Sequence, residues 1–224
     1  MSIFLLILIA AIPAYLLGSV NGAIITSQVI YRKDIRKYGS GNPGLTNFFR
    51  VFGKGGVLLV VLIDVIKSIT PVIFGGWLFA VFTGMPVSEN WLLRDLFNIS
   101  FFGILVSGFS VMLGHCFPVF YGFTGGKGVM AAGTMVIILD WRLALVCWSI
   151  FVILTLVTGY VSLGSTMACF SMAFFQYFVF GLGGIREFIV ALLCGILVVI
   201  RHEANIKRLI KGEESKVSFS RKKE

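Results

Sequence analysis

Long apolar stretches alternate along the chain with short segments in which glycine and polar residues are concentrated. Seven apolar stretches occur, over residues 3–30, 56–82, 97–116, 129–139, 143–158, 166–181 and 188–200. A helix needs roughly 20 apolar residues to cross a bilayer. The pattern therefore predicts an all-α integral membrane fold of seven transmembrane helices, the fourth short and the second bent at Pro71.

The composition excludes a soluble protein, because 58% of the 224 residues are hydrophobic, 13% are charged and the mean hydropathy is +0.97. With 22 phenylalanines, the chain also carries too much apolar surface to stay disordered in water. The first stretch opens without the Lys or Arg of a cleaved signal peptide, so we expect it to remain as the first helix.

The 19 Lys and Arg residues are unevenly distributed over the predicted topology. Alternating the seven spans leaves three cations, Arg94, Arg142 and Arg186, on one side, places Lys67 inside the second span, and gathers fifteen on the other side. Because cations accumulate in cytoplasmic loops, the N-terminus is predicted outside and the C-terminus in the cytoplasm. The fifteen are Arg32, Lys33, Arg36, Lys37, Arg50, Lys54, Lys127, Arg201, Lys207, Arg208, Lys211, Lys216, Arg221, Lys222 and Lys223.

The net charge of +9 thus belongs to the cytoplasmic face, and no helix-turn-helix or zinc finger accompanies it to suggest nucleic-acid binding. We divide the chain into a seven-helix membrane domain, residues 1–201, and a basic cytoplasmic tail, residues 202–224. In the tail, Ile206, Leu209 and Ile210 share one helical face opposite the cations, which predicts a helix lying on anionic lipid.

Three predicted cytoplasmic loops, residues 38–54, 114–128 and 159–165, are dense in glycine, serine and other polar residues. Glycine loops at helix N-termini expose backbone N–H groups beside the positive end of the helix dipole, so they bind phosphate well. Each loop alone could serve only to turn the chain. Three such loops on one face, with cations among them, favour a shared anion site.

Cofactors and metals are not expected. Gly39, Gly41 and Gly44 fit G-x-G-x-x-G with Asp64 twenty residues later, but a dinucleotide fold needs a strand before the glycines and a soluble βαβ unit around them. The sequence has no carboxylate cluster for a metal ion. The four cysteines are widely spaced in or beside apolar segments, as packing residues are.

Asp64 and Lys67 stand three positions apart on one face of the second span. Left unpaired at the bilayer centre, the two charges would together cost on the order of 5 to 7 kcal/mol. They must pair or face a polar cavity, so Lys67 is either half of a structural ion pair or a substrate contact. The two histidines, His115 and His202, border the predicted anion pocket and are either packing residues or part of its chemistry.

Four sequence motifs lie in or next to the predicted cytoplasmic loops, and the first of them extends into the second span. They are Gly39-Ser-Gly-Asn-Pro-Gly-Leu-Thr-Asn47 with Arg50, Gly53-Lys54 and Asp64-x-x-Lys67; Gly114-His-Cys-Phe-Pro118 with Gly125-Gly-Lys-Gly-Val129; Val161-Ser-Leu-Gly-Ser165; and Arg201-His202 with Asn205, Arg208 and Gly212. The set resembles the bacterial membrane-integral acyl-phosphate:glycerol-3-phosphate 1-acyltransferases, the PlsY family. Leu45 departs from the usual Ala, and Met130-Ala131 from the common Ala-Thr.

The resemblance implies an enzyme of the bacterial plasma membrane that transfers a fatty acyl group from acyl phosphate to the 1-hydroxyl of glycerol 3-phosphate, giving lysophosphatidic acid. A dense set of 26 glycines, which lets helices approach closely, is compatible with a monomer in membrane lipid. The residues expected to be catalytic are Ser40, Arg50, His115, Lys127 and Asn205. Those expected to bind substrate are Gly41, Asn42, Thr46, Asn47, Lys54, Lys67, Gly125, Gly126, Gly128, Ser162, Ser165, Arg201 and His202.

Acyl phosphate is an activated anhydride, so such an enzyme must chiefly bring two anions together and stabilise charge on the carbonyl oxygen. Ser162 lacks the G-x-S-x-G elbow of a nucleophile, because Tyr160 replaces its first Gly. We favour direct attack with the departing phosphate taking the proton, as the resemblance suggests; His115 as general base is the competing mechanism. The alternative function is a transporter for a phosphorylated solute, since broken spans also aim helix N-termini at anions.

Overall fold

The structure, a computed structural model, describes residues 1–84 and 99–216, and all regular elements in those two ranges are helical. Arg94, Phe97, Arg221, Lys222 and Lys223 lie outside the described residues. The α-helices of the described part are α1 Ile3–Gly18, α2 Gly22–Tyr31, α3 Leu45–Phe52, α4 Val57–Thr83, α5 Phe101–Cys116, α6 Val129–Leu139, α7 Trp141–Thr158, α8 Val161–Phe174, α9 Ile185–Arg201 and α10 Glu203–Ile210. A π-helical segment, Phe175–Val179, continues α8.

Four helical segments of the described ranges are long and apolar enough to cross a membrane. They are Ile3–Tyr31, which joins α1 and α2, and Val57–Thr83, Phe101–Tyr121 and Trp141–Thr158. Val129–Leu139 is apolar but shorter. Each of the seven predicted apolar stretches is mostly helical where it is described, and α4 continues through Pro71.

The first apolar stretch was predicted as one helix, but the structure interrupts it between α1 and α2. The side chain of Asn21 caps α2 by accepting a hydrogen bond from the Ile24 N–H at 2.9 Å. The Val20 carbonyl accepts a hydrogen bond from the Lys67 ammonium of α4. A polar contact from another helix thus replaces the backbone hydrogen bonds that would have continued the turn.

Helix α5 lies at the centre of the bundle and packs against α1, α4, α6 and α9. Glycines allow backbones to meet there: a Cβ at Gly18 would lie 2.4 Å from the Val111 carbonyl oxygen, and one at Gly103 would lie 2.4 Å from the Gly75 carbonyl oxygen. Small residues permit this close approach between spanning helices. The packing fixes the C-terminal end of α5, and with it His115, inside the protein.

One further boundary differs from the sequence prediction. The third polar loop was expected over residues 159–165, but α8 begins at Val161, so Ser162 and Ser165 lie on its first turns. The tail was expected to contain a helix lying on anionic lipid. Its helix α10 contacts α8 and α9 and buries Asn205, while Ile210 is 81% exposed.

Candidate active site

A cavity of about 520 Å³ lies where the first two polar loops meet the start of α8 and the C-terminal helix α10. We call it the polar cavity. Most of the predicted site residues line it: Ser40, Gly41, Asn42, Thr46, Asn47, Arg50, His115, Gly125, Lys127, Gly128, Ser162, Ser165, Arg201, His202 and Asn205. Lys54, Lys67 and Gly126 are not among the lining residues.

The first loop is shaped by two asparagines. The Asn47 side chain accepts a hydrogen bond from the Ser40 N–H at 2.9 Å and donates one to the Tyr38 carbonyl at 3.0 Å. The Asn21 amide donates to the Pro43 carbonyl at 3.0 Å. Gly41, at φ +72°, takes a left-handed conformation that glycine adopts readily. Ser40 and its neighbours are therefore held at the cavity by side chains rather than by regular secondary structure.

Four helices begin at the cavity wall without a side-chain cap on their N-termini. Gly44 precedes α3, Gly128 precedes α6, Tyr160 precedes α8 and His202 precedes α10. The first N–H groups of a helix have no partner within the helix, and the dipole gives this end a partial positive charge. Such an end suits an anion that accepts hydrogen bonds.

The second loop is fixed against the ends of α5 and α9. Arg201 donates from Nε to the Gly126 carbonyl at 3.1 Å and from an Nη to the Gly125 carbonyl at 3.0 Å. The Gly126 N–H donates to the His115 carbonyl at 3.0 Å. A Cβ at Gly126 would lie 2.2 Å from His115 Nε2, so only glycine lets the loop lie this close to the ring.

Lys127, at the tip of this loop, reaches the C-terminal helix. Its ammonium donates a hydrogen bond to Asn205 Oδ1, and the Asn205 amide donates to Glu214 Oε1 at 2.6 Å. The same carboxylate accepts from the Ser162 hydroxyl at 2.8 Å and pairs with Arg208 Nε at 2.7 Å. Sequence reasoning missed Glu214, which joins α8 to the tail. The last motif residue of the resemblance is Gly212, two residues before Glu214, and the partner of Glu214 on α8, Ser162, is 52 positions away.

The titratable groups of this network are shifted by their surroundings. Burial lowers the pKa of Lys127 to about 8; Glu214 opposes that shift, while Arg208, Arg201 and Arg50 add to it. Burial, with Lys127 adding to its effect, lowers the pKa of His202 to about 4, so this ring is neutral near pH 7. Burial would raise the pKa of Glu214, but hydrogen bonds from Asn205, Ser162 and Arg208 outweigh it and lower the pKa.

Lys67 and Asp64 form a buried ion pair of 2.9 Å, with side chains 4% and 2% exposed. Lys67 also contacts Nδ1 of His115 at 2.9 Å, while Asp64 and His115 both line the cavity. Lys67 therefore lies behind the cavity wall, as in the ion-pair alternative. Three cations that line the cavity have no carboxylate within 4.0 Å among the described residues. They are Arg50, Lys127 and Arg201.

A second cavity of about 330 Å³ adjoins the first and is lined almost entirely by apolar groups. We call it the apolar cavity. Leu45, Val129, Met130, Phe151 and Ser165 line both. Beyond them the apolar cavity runs between α6, α7 and α8, with walls from Val136, Trp148, Cys169 and Met172. A polar, cationic space thus continues into an apolar one.

Within residues 1–84 and 99–216, no group of three or more His, Cys, Asp and Glu side chains is placed to hold a metal ion. The four cysteines are free and buried in helices. The donors that face the polar cavity are cations, amides, hydroxyls and backbone N–H groups, which suit an anion.

The fold matches two crystal structures of PlsY, an integral membrane glycerol 3-phosphate acyltransferase. Its glycerol 3-phosphate form has a TM-score of 0.76 at 31% identity, covering 95% of this chain and 96% of that chain. Its lysophosphatidic acid form has a TM-score of 0.75 at 30% identity, covering 95% of each chain. The class defined by this fold and cavity is a multi-pass membrane acyltransferase.

The sequence matches the glycerol-3-phosphate acyltransferase family over residues 8–212. It is 36% identical over 218 residues to the glycerol-3-phosphate acyltransferase of Staphylococcus saprophyticus subsp. saprophyticus, covering 96% of this chain and 100% of that protein. It is 35% identical over 218 residues to that of Finegoldia magna, covering 96% and 98%. The chain belongs to the glycerol-3-phosphate acyltransferase family. Of the two alternatives that the sequence left open, this membership supports the acyltransferase and not the transporter.

Proposed function

We propose that the chain transfers a fatty acyl group from acyl phosphate to the 1-hydroxyl of glycerol 3-phosphate, giving lysophosphatidic acid and inorganic phosphate. The observation that carries this proposal is the junction of the polar and apolar cavities. Both substrates are anions, and only the acyl donor has a long apolar chain. The polar cavity offers three cations and four uncapped helix N-termini, while the apolar cavity begins beside them.

The reaction joins the 1-hydroxyl oxygen to the acyl carbon and breaks the bond from that carbon to the phosphate oxygen. In our proposal Ser40, Gly41 and Asn42 contact a phosphate or the reacting carbonyl, and Arg50 and Lys127 hold the two phosphates. The remaining polar wall is formed by Ser162, Ser165, His202 and Asn205. The hydroxyl oxygen attacks the acyl carbon directly, so no covalent enzyme intermediate forms, and the hydroxyl proton leaves with the departing phosphate. Holding both anions in one site supplies much of the rate.

We further propose that all seven apolar helical segments cross the plasma membrane, with the N-terminus outside and the polar cavity open to the cytoplasm. The fifteen-to-three distribution of cations supports this orientation. The meeting of residues 40–50, 124–129 and 201–215 in one cavity also supports it, since the topology places all three segments on the same side. Glycerol 3-phosphate would enter from the cytoplasm and acyl phosphate from the bilayer. The protein would act as a monomer.

The test uses purified protein in lipid or detergent with radiolabelled glycerol 3-phosphate. We expect lysophosphatidic acid to form with acyl phosphate and not with acyl-CoA or acyl carrier protein. Product from acyl-CoA alone would overturn the donor assignment. Uptake of glycerol 3-phosphate into sealed vesicles without acylation would overturn the proposed function.

A further inference from the structure

The ammonium of Lys67 is surrounded by three hydrogen-bond acceptors inside the bundle. It pairs with Asp64 Oδ1 at 2.9 Å, donates to the Val20 carbonyl, and lies 2.9 Å from Nδ1 of His115. An ammonium group has three N–H donors and no acceptor. Each donor has one partner here, so the His115 Nδ1 must be the acceptor in its contact and cannot carry a hydrogen.

A neutral Lys67 could accept a hydrogen from Nδ1, but its ion pair with Asp64 favours the charged amine. Asp64 is 2% exposed and Lys67 is its one ion-pair partner among the described residues. Removing the charge of one member of a buried pair leaves the other uncompensated, which is strongly unfavourable. The Gly22 N–H, which also donates to Asp64 Oδ1 at 3.2 Å, stabilises the ionised carboxylate further.

We infer that Lys67 is a positioning residue: it holds His115 in the neutral tautomer whose hydrogen is on Nε2, so that His115 presents a donor and not a base. The charged groups that interact electrostatically with the His115 ring are Lys67, Asp64 and Arg201. Because the Lys67 ammonium already donates to Nδ1, the ring cannot add a proton there without losing this contact. The Nε2 edge lies beside Gly126, on the side of the glycine-rich loop, whereas Lys67 occupies the Nδ1 edge behind the cavity wall.

The other histidine of the cavity provides an internal comparison. Nδ1 of His202 lies 2.8 Å from the Val198 carbonyl oxygen. A carbonyl oxygen only accepts, so here Nδ1 carries the hydrogen and Nε2 keeps its lone pair. The two histidines of the chain are therefore expected in opposite tautomers. The difference arises because Nδ1 of His115 contacts an ammonium group, which donates, whereas Nδ1 of His202 contacts a carbonyl oxygen, which accepts.

The consequence for the reaction rests on the proposed function. A donor at His115 Nε2 can stabilise negative charge that develops on the carbonyl oxygen or on the departing phosphate. It cannot take the proton of the attacking hydroxyl, because Nε2 already carries a hydrogen and Nδ1 accepts one from Lys67. That proton leaves with the phosphate, and no other co-reactant is needed.

The tautomers can be measured by 15N nuclear magnetic resonance on wild-type protein labelled only at its two histidines. We expect one ring protonated at Nε2 and the other at Nδ1, and loss of the first pattern in His115→Gln identifies its source. The His115 pattern should not change through the ordinary histidine pKa of roughly 6.5. Finding both rings in one tautomer, or His115 as an imidazolium near neutral pH, would overturn the inference. This measurement needs no substrate, so it stands apart from the proposed function.

Variants of Lys67 then test the positioning role. Lys67→Arg keeps a cationic donor and should keep the Nε2–H tautomer, while Lys67→Met should give a mixture of both. Lys37→Met, at an exposed lysine outside the cavity, is the control and should leave the spectrum unchanged. An unmixed Nε2–H tautomer in folded Lys67→Met would show that Lys67 does not set it.

Steady-state rates separate a donor from a base. His115→Gln keeps an N–H donor and should stay within roughly tenfold of wild type, whereas His115→Phe keeps a ring without a donor and should lose about 10- to 100-fold. Equal losses in the two variants, with the acidic limb of the pH profile abolished in both, would identify His115 as the base. If wild-type protein makes no lysophosphatidic acid, the proposed function fails and the tautomer assignment is unaffected.

Discussion

The Lys127 ammonium donates a hydrogen bond to Oδ1 of Asn205, a residue 78 positions later in the chain. This contact joins the glycine-rich loop before α6 to the helix that follows the last apolar segment. Asn205 is itself held by Glu214. The loop cation is therefore positioned from outside its own loop, and a phosphate entering the polar cavity would meet an ammonium already fixed in place.

Replacing Lys127 should remove activity without unfolding the protein. Lys127→Met keeps an unbranched side chain one atom shorter but removes the charge that we propose neutralises a substrate phosphate. We expect activity to fall by more than about 100-fold while the Tm in detergent stays within a few degrees of wild type. Lys127→Arg, which keeps the charge, is the matched control and should retain more activity. A fully active Lys127→Met protein would remove Lys127 from the site.

The lowered pKa of Lys127 predicts a loss of activity in mild base. Burial lowers this pKa to about 8, so the free enzyme carries the charge below that pH and loses it above. Because kcat/KM reports the groups of the free enzyme, kcat/KM for glycerol 3-phosphate should fall as the pH rises through about 8. In Lys127→Arg the limb should move to higher pH, since a guanidinium stays protonated. An unchanged limb in that variant would assign it to another group.

Local patterns account for what the sequence could predict of the site. Glycine, asparagine and cations cluster within the first two loops, and alternation of the apolar stretches places those loops on one side. Ser40, Arg50 and Lys127 accordingly meet at one cavity. Each of these inferences needs only neighbours in the chain and the thickness of a bilayer.

Contacts between distant segments could not be predicted in the same way. The break at Val20 depends on a hydrogen bond from Lys67, 47 positions away. Glu214 lies in a charged tail whose composition is typical of a membrane surface, yet it accepts from Ser162 on α8. A charge pattern does not distinguish a carboxylate facing water from one that closes a cavity.

Neutralising Glu214 should loosen the wall formed by α8 and α10. Glu214→Gln loses the ion pair with Arg208 and weakens the hydrogen bonds from Ser162 and Asn205. Hydrogen bonds to a charged group contribute about 1.5–3 kcal/mol, so we expect the Tm to fall by several degrees and KM to rise. Glu213→Gln, at the exposed neighbouring residue, is the control for general loss of tail charge. Equal behaviour of the two variants would exclude a structural role for Glu214.

Trp148 should limit the length of the acyl chain that the apolar cavity accepts. Its indole N–H donates to the Gly133 carbonyl at 3.3 Å, and a Cβ at Gly133 would lie 3.0 Å from the indole ring. Trp148→Ala removes this part of the wall, so the ratio of kcat/KM for longer over shorter acyl phosphates should rise about tenfold. Trp77→Ala, at an exposed tryptophan of α4 outside both cavities, should leave the ratio unchanged. A chain-length profile that Trp148→Ala leaves intact would place the acyl chain elsewhere.

The proposed topology predicts opposite accessibility for residues of the second polar loop and of the segment that begins α9. Thr124 and Arg186 are both exposed, and the charge distribution places them on the cytoplasmic and outer sides respectively. A membrane-impermeant thiol reagent added to intact cells should label Arg186→Cys and not Thr124→Cys. In inside-out vesicles the pattern should reverse.

The native cysteines make this measurement possible without removing them. Cys116, Cys147, Cys169 and Cys194 are free and buried, so wild-type protein should give little background in either preparation. Each variant must first retain acyl transfer, which shows that labelling reports the folded state. Three membrane crossings are proposed between residues 124 and 186, by α6, by α7 and by the segment built from α8. Labelling of both positions from one side would instead require an even number of crossings. In that case the short helix α6 would not cross, and the single cytoplasmic face of the polar cavity would have to be reassigned.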